Sequence, residues 1–236
     1  MCGRFTRTAT LEELQKLFGF EERPNLAPRT NIAPTQDIGI LRREDDGKTH
    51  WREARWGLIP SWAKDDSIGA KMINARGETV AEKPAFRAAF ARRRCLIPAD
   101  GFYEWKSEEG GKQPYRITLE DGRPFAFAGL WEVWRAPRGK SRLDTCSSVT
   151  VEAAPAIAEI HHRMPVILEG DSFDLWLDPE ARPAALQGLL APYGGTLRAY
   201  KVSKAVNKVA NDSLDLLEPL PEDAPKEDDK GQMSLI

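Results

Sequence analysis

The sequence predicts an α+β fold, a single domain on a mainly antiparallel β-sheet system with short peripheral helices. Two observations carry that expectation. Short runs of β-branched and aromatic residues recur between turn signals along most of the chain. Segments with helical periodicity are few, brief and scattered among them. No internal repeat stands out, and the domain is expected to occupy residues 1–217.

Thr10 to Phe18 reads as the first helix. Thr10 and Glu13 form a capping box, Leu11, Leu14 and Phe18 share a face, and Gly19 is a C-cap. The Pro- and Asn-rich stretch from Arg23 to Pro34 reads as a loop. Asp37–Arg42 and Thr49–Trp56 read as strands joined by a turn at Asp45-Asp46-Gly47. Pro84–Arg93 reads as a helix burying Phe86 and Phe90 at i,i+4 spacing. Strands are then expected at Cys95–Pro98, Gly101–Trp105, Tyr115–Leu119 and Pro124–Trp131, with Asp121-Gly122 as a hairpin turn. Cys146–Val151 is a further strand, Ala154–Ile160 a short helix and Met164–Leu168 a buried strand. Ser172–Leu177 and Pro183–Leu190 read as helices, and Leu197–Val202 as the last strand. Residues 218–236 are polar, acidic and Pro-containing, the composition of a disordered tail.

A hydrophobic content of 41% fills a real core, and no apolar run is long enough to span a bilayer. The three cysteines are too sparse for a disulfide framework, and no signal peptide stands out. Together these features predict a soluble, cytoplasmic protein. The net charge of −2 does not announce a nucleic-acid partner. It hides a basic stretch from Lys71 to Arg94 balanced by the acidic tail.

Cys2 is the first residue whose position suggests chemistry. Removal of Met1 before a small residue leaves an α-amine, of ordinary pKa ~7.7–8.0, beside a thiol on one residue. The amine can condense with an aldehyde to an imine, and the thiol can close on it to a thiazolidine. A surface cysteine at a frayed terminus is the alternative. In Asn74-Ala75-Arg76-Gly77-Glu78, alternation puts Asn74 and Arg76 on one side. There they can bond a sugar hydroxyl or the Cys2 amine, and a phosphate; a polar surface strand reads the same way. Glu104 lies inside the aromatic run Gly101-Phe102-Tyr103-Glu104-Trp105. It is either a buried acid–base group of raised pKa or an edge-strand carboxylate paired to an arginine.

His161 and His162 are two of three histidines, and either can move protons near neutral pH. A metal site is not expected, because adjacent histidines seldom share one ion and the cysteines lack ligand spacing. Arg55–Trp62, Arg87 and Arg92–Arg94 interleave cations with tryptophan, the composition of a single-strand groove. Most of the seven tryptophans should be core; Trp62, after a Pro-Ser turn, is the candidate exposed platform.

In combination these segments resemble the SOS response-associated peptidase (SRAP) family, or abasic-site processing proteins. The resemblance spans about Cys2 to Val202. It rests on Met1-Cys2-Gly3-Arg4-Phe5, Asn31-Ile32-Ala33-Pro34-Thr35, Trp56-Gly57-Leu58-Ile59-Pro60, the Asn74–Glu78 segment, Arg94–Trp105 and His161-His162-Arg163-Met164-Pro165, in that order. It implies a barrel-like SRAP fold and a protein that removes its own Met1. It further implies a lyase-like, covalent thiazolidine crosslink between Cys2 and abasic sites in single-stranded DNA, shielding the lesion during replication. In the roles it implies, Cys2 is the nucleophile, Asn74 orients the reacting groups and Arg76 holds the lesion's phosphates. Glu104 handles protons, and His161 assists the Schiff-base step and reversal. Arg4, Trp62, Arg87 and Arg163 would contact DNA. No cofactor is implied, and the expected state is a monomer at damaged forks on the nucleoid. The terminus Gln232–Ile236 resembles the peptides by which bacterial replication proteins dock on the sliding clamp, or is an incidental apolar end.

Two rivals use the same residues. An N-terminal-nucleophile amidohydrolase would turn Cys2 on an amide with its own amine as base. A non-covalent single-strand binder would not need Cys2 at all.

Overall fold

The computed structural model describes residues 2–136 and 142–221. In chain order the elements are β1 (Phe5–Arg7), α1 (Leu11–Phe18), β2 (Arg29–Ile32), β3 (Asp37–Arg43), β4 (Thr49–Trp56) and β5 (Asn74–Arg76). Then come α2 (Arg87–Arg92), β6 (Arg94–Ala99), β7 (Gly101–Glu108), β8 (Gly111–Leu119), β9 (Phe125–Arg135) and β10 (Arg142–Glu152). The last are β11 (Arg163–Pro165), β12 (Ile167–Leu168), α3 (Ser172–Leu177), α4 (Pro183–Gly188) and β13 (Leu197–Lys201). Single 3-10 turns at Pro155–Ile157, Lys204–Asn207 and Leu214–Leu217 fill connections.

Two sheet systems carry the fold. One has the order β13-β8-β7-β1-β2 and is antiparallel throughout. In the other, β10, β4, β3, β6 and β9 pair in sequence, and β9 pairs back onto β10 to close a five-stranded barrel. Closure removes the exposed edges that an open sheet would present. The barrel is mainly antiparallel, with one parallel contact where Thr145 and Cys146 meet Arg55 and Trp56. The protein is thus mostly β, and its helices are short and peripheral.

The interior is aromatic. Phe5 meets Trp56 and Phe127 edge-on at 5.2 and 5.6 Å, and Phe127 in turn meets Phe102 and Phe125. Edge-to-face pairs at this spacing add to what area burial alone contributes. Phe5 and Phe102 belong to one sheet system and Phe127 to the other, so this cluster ties the two together and fixes where the chain's start must lie.

Asp100 makes the second tie, at the one-residue step from β6 in the barrel to β7 in the other sheet. Buried there, it accepts hydrogen bonds from the Thr6 hydroxyl, the Thr8 backbone and hydroxyl, and the Ala9 backbone, and pairs with Arg116 at 3.2 Å. Arg94, at the start of β6, is equally buried. Its guanidinium donates to the carbonyls of Phe90, Ala91, Trp176 and Asp178, stapling the C-terminal ends of α2 and α3 to the barrel.

Local signals place several elements as expected. Thr10 and Glu13 make the reciprocal capping box of α1, Gly19 closes that helix at φ 72°, and Gly47 turns the β3–β4 hairpin at φ 77°. Others differ. The stretch read as a loop contains β2, held by long-range bonds: Asp212 accepts from the Thr30 and Asn31 amides, and Tyr103 donates to the Thr30 carbonyl. Asp121-Gly122 turns the chain between the two sheets and makes no hairpin, because β8 pairs with β7 and β13 while β9 enters the barrel. The helix expected over 84–93 is confined to Arg87–Arg92, and 154–160 yields only a 3-10 turn.

Gly57, in Trp56-Gly57-Leu58-Ile59-Pro60, is the tightest backbone constraint. It sits at φ 135°, and a Cβ there would lie 2.6 Å from the Gly69 carbonyl oxygen. Gly57→Ala therefore combines a forbidden dihedral with a backbone clash. It is expected to lower stability by at least ~2 kcal/mol, measurable as a drop in the urea midpoint.

Candidate active site

The β1 strand is short, and its pairing with β7 (Phe5 opposite Phe102) carries residues 2–4 along β7 toward Glu104. The Tyr103 amide donates to the Arg4 carbonyl at 2.9 Å, extending that contact. Cys2 is consequently 1% exposed, inside the main core rather than at a frayed end. Met1 lies outside the described residues. On the other side, the Asn74 amide donates to the Cys2 carbonyl at 2.8 Å. Asn74 is fixed in turn by the Ser148 hydroxyl, which donates to its Oδ1 at 2.5 Å. The parallel pairing of β5 with β10, Asn74 opposite Ser148, sets that contact.

Asn74 therefore holds the Cys2 backbone through its carbonyl. Ser148 is a neighbour of the candidate site that sequence reasoning missed. It sits in a strand where serine and threonine recur, and only the β5–β10 register reveals its target.

Glu104 is 2% exposed on β7, between β1 and β8, so it is no edge-strand carboxylate. Burial pushes its carboxyl up to about 7. The His161 Nδ1 lies 3.8 Å from Glu104 Oε1. That nitrogen lies 3.0 Å from the Arg163 backbone nitrogen and 3.1 Å from the Arg163 carbonyl oxygen, so the backbone of Arg163 fixes the ring's position. Burial holds the His161 pKa below its usual value, so the imidazole is neutral at pH 7. His162 is exposed and stacks on His161 at 4.5 Å between centroids. Burial, and after it the charge of Glu104, pushes the Cys2 thiol far up. A thiol in that state is a proton-bearing neutral group, and a thiolate is not its resting form.

A cleft of about 370 Å³ opens onto Glu104 and His161, bordered by Arg4, Trp105, Lys112 and Asn207. That volume falls within the ~300–1,000 Å³ range of small-molecule sites. Trp105 donates to Asn207 Oδ1 at 2.8 Å, so the segment after β13 forms one wall. Lys112 and Asn207 carried no signal in sequence, since each lies in a polar stretch like many others.

The expected DNA-contacting residues divide into two groups. Trp62 is 60% exposed, and Arg76 and Arg87 are also exposed. Arg4 and Arg163 are already engaged. Arg4 donates to Asn31 Oδ1 at 2.7 Å and the Val206 carbonyl at 2.8 Å, with its guanidinium over the Trp105 ring. Arg163 forms a bidentate pair with Glu78 at 2.5 and 2.9 Å and bonds the Thr150 carbonyl. Of the basic triplet 92–94, only Arg92 is exposed: Arg93 pairs with Glu132 and Arg94 is the staple described above. All three cysteines are free and buried. Among the described residues no group of three or more His, Cys, Asp or Glu is placed to hold a metal, and no helix is long and apolar enough to cross a membrane.

Fold and site together define a β-barrel protein that seats its own N-terminal segment beside a buried carboxyl and a half-buried imidazole. The chain belongs to the SOS response associated peptidase (SRAP) family, whose model matches residues 1–209. Among relatives, it is 43% identical over 224 residues to "Abasic site processing protein YoqW" of Bacillus subtilis (strain 168), covering 92% of this chain and 99% of that one. It is 35% identical over 269 residues to "Abasic site processing protein HMCES" of Gallus gallus, covering 96% and 80%. A crystal structure of a Bacteroides thetaiotaomicron protein superposes with a TM-score of 0.85 at 24% identity over 93% of this chain and 100% of that one, a likeness of fold. A Bordetella bronchiseptica protein does so at 0.74 and 28% identity, over 86% and 100%.

Proposed function

We propose that this chain processes abasic sites in single-stranded DNA by covalent capture at Cys2 after it removes its own Met1. The observation that carries the reading is the seating of Cys2: its carbonyl is held by Asn74, and its thiol lies within the electrostatic reach of Glu104. A cysteine kept only for packing needs neither.

The free α-amine attacks the aldehyde carbon of the ring-opened deoxyribose. Glu104, titrating near 7, donates the proton that lets the carbinolamine hydroxyl leave as water, giving the imine. The thiol sulfur then adds to the imine carbon as its proton passes to the nitrogen, closing the thiazolidine. Each capture releases one water. The second step is intramolecular, and effective molarities of ~10⁵–10⁸ M drive such closures. Because the thiol rests protonated, the amine is the first nucleophile. The neutral His161, 3.8 Å from Glu104, relays protons in imine formation and in reversal. Trp62 offers a stacking platform, and Arg76 and Arg87 offer exposed cations for phosphates. Arg4 and Arg163 contribute positive field from fixed positions.

Residues 1–217 form the working domain of this proposal, a monomer acting in the cytoplasm at damaged forks on the nucleoid. Residues 218–236 serve as its tether, and Gln232–Ile236, outside the described residues, as a sliding-clamp peptide. Deleting Gln232–Ile236 is expected to weaken clamp binding in a pull-down; unchanged binding removes that part.

The capture reading is tested with two oligonucleotides, one with an abasic site and one with a tetrahydrofuran analogue that lacks the aldehyde. A band surviving denaturing electrophoresis is expected with the first alone. A band with both, or with neither, contradicts it. Ser148→Ala frees the Asn74 amide to rotate and removes one hydrogen bond of ~0.5–1.5 kcal/mol. A slowing of crosslinking by up to about tenfold is expected, with the melting temperature nearly unchanged.

A further inference from the structure

One wall of the Glu104–His161 cleft is built by a segment with little packing of its own. Of residues 204–217, which run back past β2, only Val206 and Leu216 are buried, and Asn207, Lys208, Val209 and Ala210 are all exposed. Apolar burial therefore anchors this segment at two points and leaves the stretch between them to polar bonds.

Those bonds converge on Asn31 of β2, whose side chain is 0% exposed. Its Nδ2 donates to the carbonyls of Val206 and Lys208, each at 3.1 Å, and of Asn211 at 2.6 Å. Val206 and Lys208 flank Asn207, so one amide grips the chain on both sides of that residue. The other end of the amide, Oδ1, accepts from Arg4 Nη1 at 2.7 Å. Asp212 adds a second anchor by accepting from the Thr30 and Asn31 backbone amides and pairing with Arg29 at 2.7 Å. Trp105 joins the two parts, with the Arg4 guanidinium 5.8 Å from its ring and its Nε1 donating to Asn207 Oδ1 at 2.8 Å.

Arg4, Trp105 and Asn207 are half of the residues that border the cleft. Asn31 borders none of it, yet it fixes Arg4 and Asn207 directly and Trp105 through them. A buried amide bonded at both ends specifies one arrangement, because losing it leaves buried carbonyls and a guanidinium edge unsatisfied.

We propose that Asn31 is a positioning residue for the lesion: it sets the wall against which the abasic nucleotide sits, without touching the nucleotide. This rests on the reading of the cleft as the seat of the lesion, and it concerns how tightly the lesion is held rather than how Cys2 reacts. An undamaged strand relies on the exposed Trp62, Arg76 and Arg87 and gains little from the cleft. Asn31 should therefore matter for the damaged strand alone.

The test is fluorescence anisotropy of the full chain with two single strands, one carrying the tetrahydrofuran analogue and one undamaged. The analogue has no aldehyde, so binding is read apart from capture. Asn31→Asp keeps the acceptor for Arg4 and removes the donors to the three carbonyls. The expected result is about tenfold weaker binding of the analogue strand, with a change of less than about twofold for the undamaged strand. Asn207→Ala, which leaves the Asn31 side chain in place, should reproduce that selective loss. Equal weakening toward both strands is what a merely structural residue would give, and it overturns the proposal. So does unchanged analogue binding in the two variants, or a wild-type chain that binds both strands equally. Should Asn31→Asp fail to fold, Asn207→Ala decides the matter by the same comparison. A wild-type chain that binds the analogue selectively but never crosslinks to abasic DNA would remove the capture chemistry and leave this inference standing.

Discussion

Cys2→Ala is expected to abolish DNA retention under denaturing conditions completely while leaving a folded protein that still binds single strands. The loss is total because alanine keeps the amine but cannot close the ring, and the imine that remains hydrolyses. Cys2→Ser separates the two halves of the chemistry. Its amine still forms the imine, so borohydride should trap an adduct that is otherwise lost on denaturation. A chain that retains Met1 should be as inactive as Cys2→Ala, since the Cys2 nitrogen is then a peptide amide without nucleophilic character. Because Cys2 is buried in the core, each variant needs a melting curve beside its gel. An intact fold with no adduct is the result that counts. Full retention by Cys2→Ala would place the covalent bond on another residue, and no retention even by the wild-type chain would return the protein to the non-covalent binder.

Glu104→Gln is expected to slow crosslink formation by ~10²–10⁴-fold, the usual contribution of a positioned general acid–base. The pH profile sharpens this. As an acid Glu104 must be protonated, so its contribution falls as pH rises through about 7. The α-amine must be unprotonated, so its contribution rises toward ~8. The wild-type rate should peak between these limits, and Glu104→Gln should lose the alkaline fall and keep the acid one. Stability moves the other way. The folded carboxyl is raised from 4.5 to about 7, so across that window the native state binds more protons than the unfolded chain and stability falls as pH rises. Glu104→Gln is therefore expected to melt higher than wild type at pH 8 while being the slower crosslinker. A merely structural glutamate would show the opposite, a lower melting temperature with an unchanged pH profile.

Much of this site was legible in the sequence because its chemistry lives in rare residue types. A cysteine at position 2, a glutamate inside an aromatic strand and two of the three histidines stand out without a structure. What was not legible was partnership. Nothing in the sequence says that Arg163 is spent on Glu78, that Arg94 staples two helix ends, or that Arg4 braces the segment after β13. A guanidinium looks the same free or paired. The fold shows the same division. The α1 capping box and the β3–β4 turn are local and could be read directly. The β2 strand exists through bonds from Asp212 and Tyr103, far away in the chain, and its Pro- and Asn-rich surroundings read as loop. Asp121-Gly122 has the chemistry of a hairpin turn, yet turn chemistry does not say which strands will pair.

Intact-mass spectrometry of the purified chain, before and after incubation with an abasic oligonucleotide, tests the central claim most directly. Capture by an aminothiol predicts a protein lacking Met1, and then an adduct equal to that protein plus the oligonucleotide minus one water. Borohydride should leave the adduct mass unchanged, because the thiazolidine has no imine to reduce. A chain that keeps Met1 and forms no adduct, or an adduct that gains two hydrogens on reduction, would contradict the account.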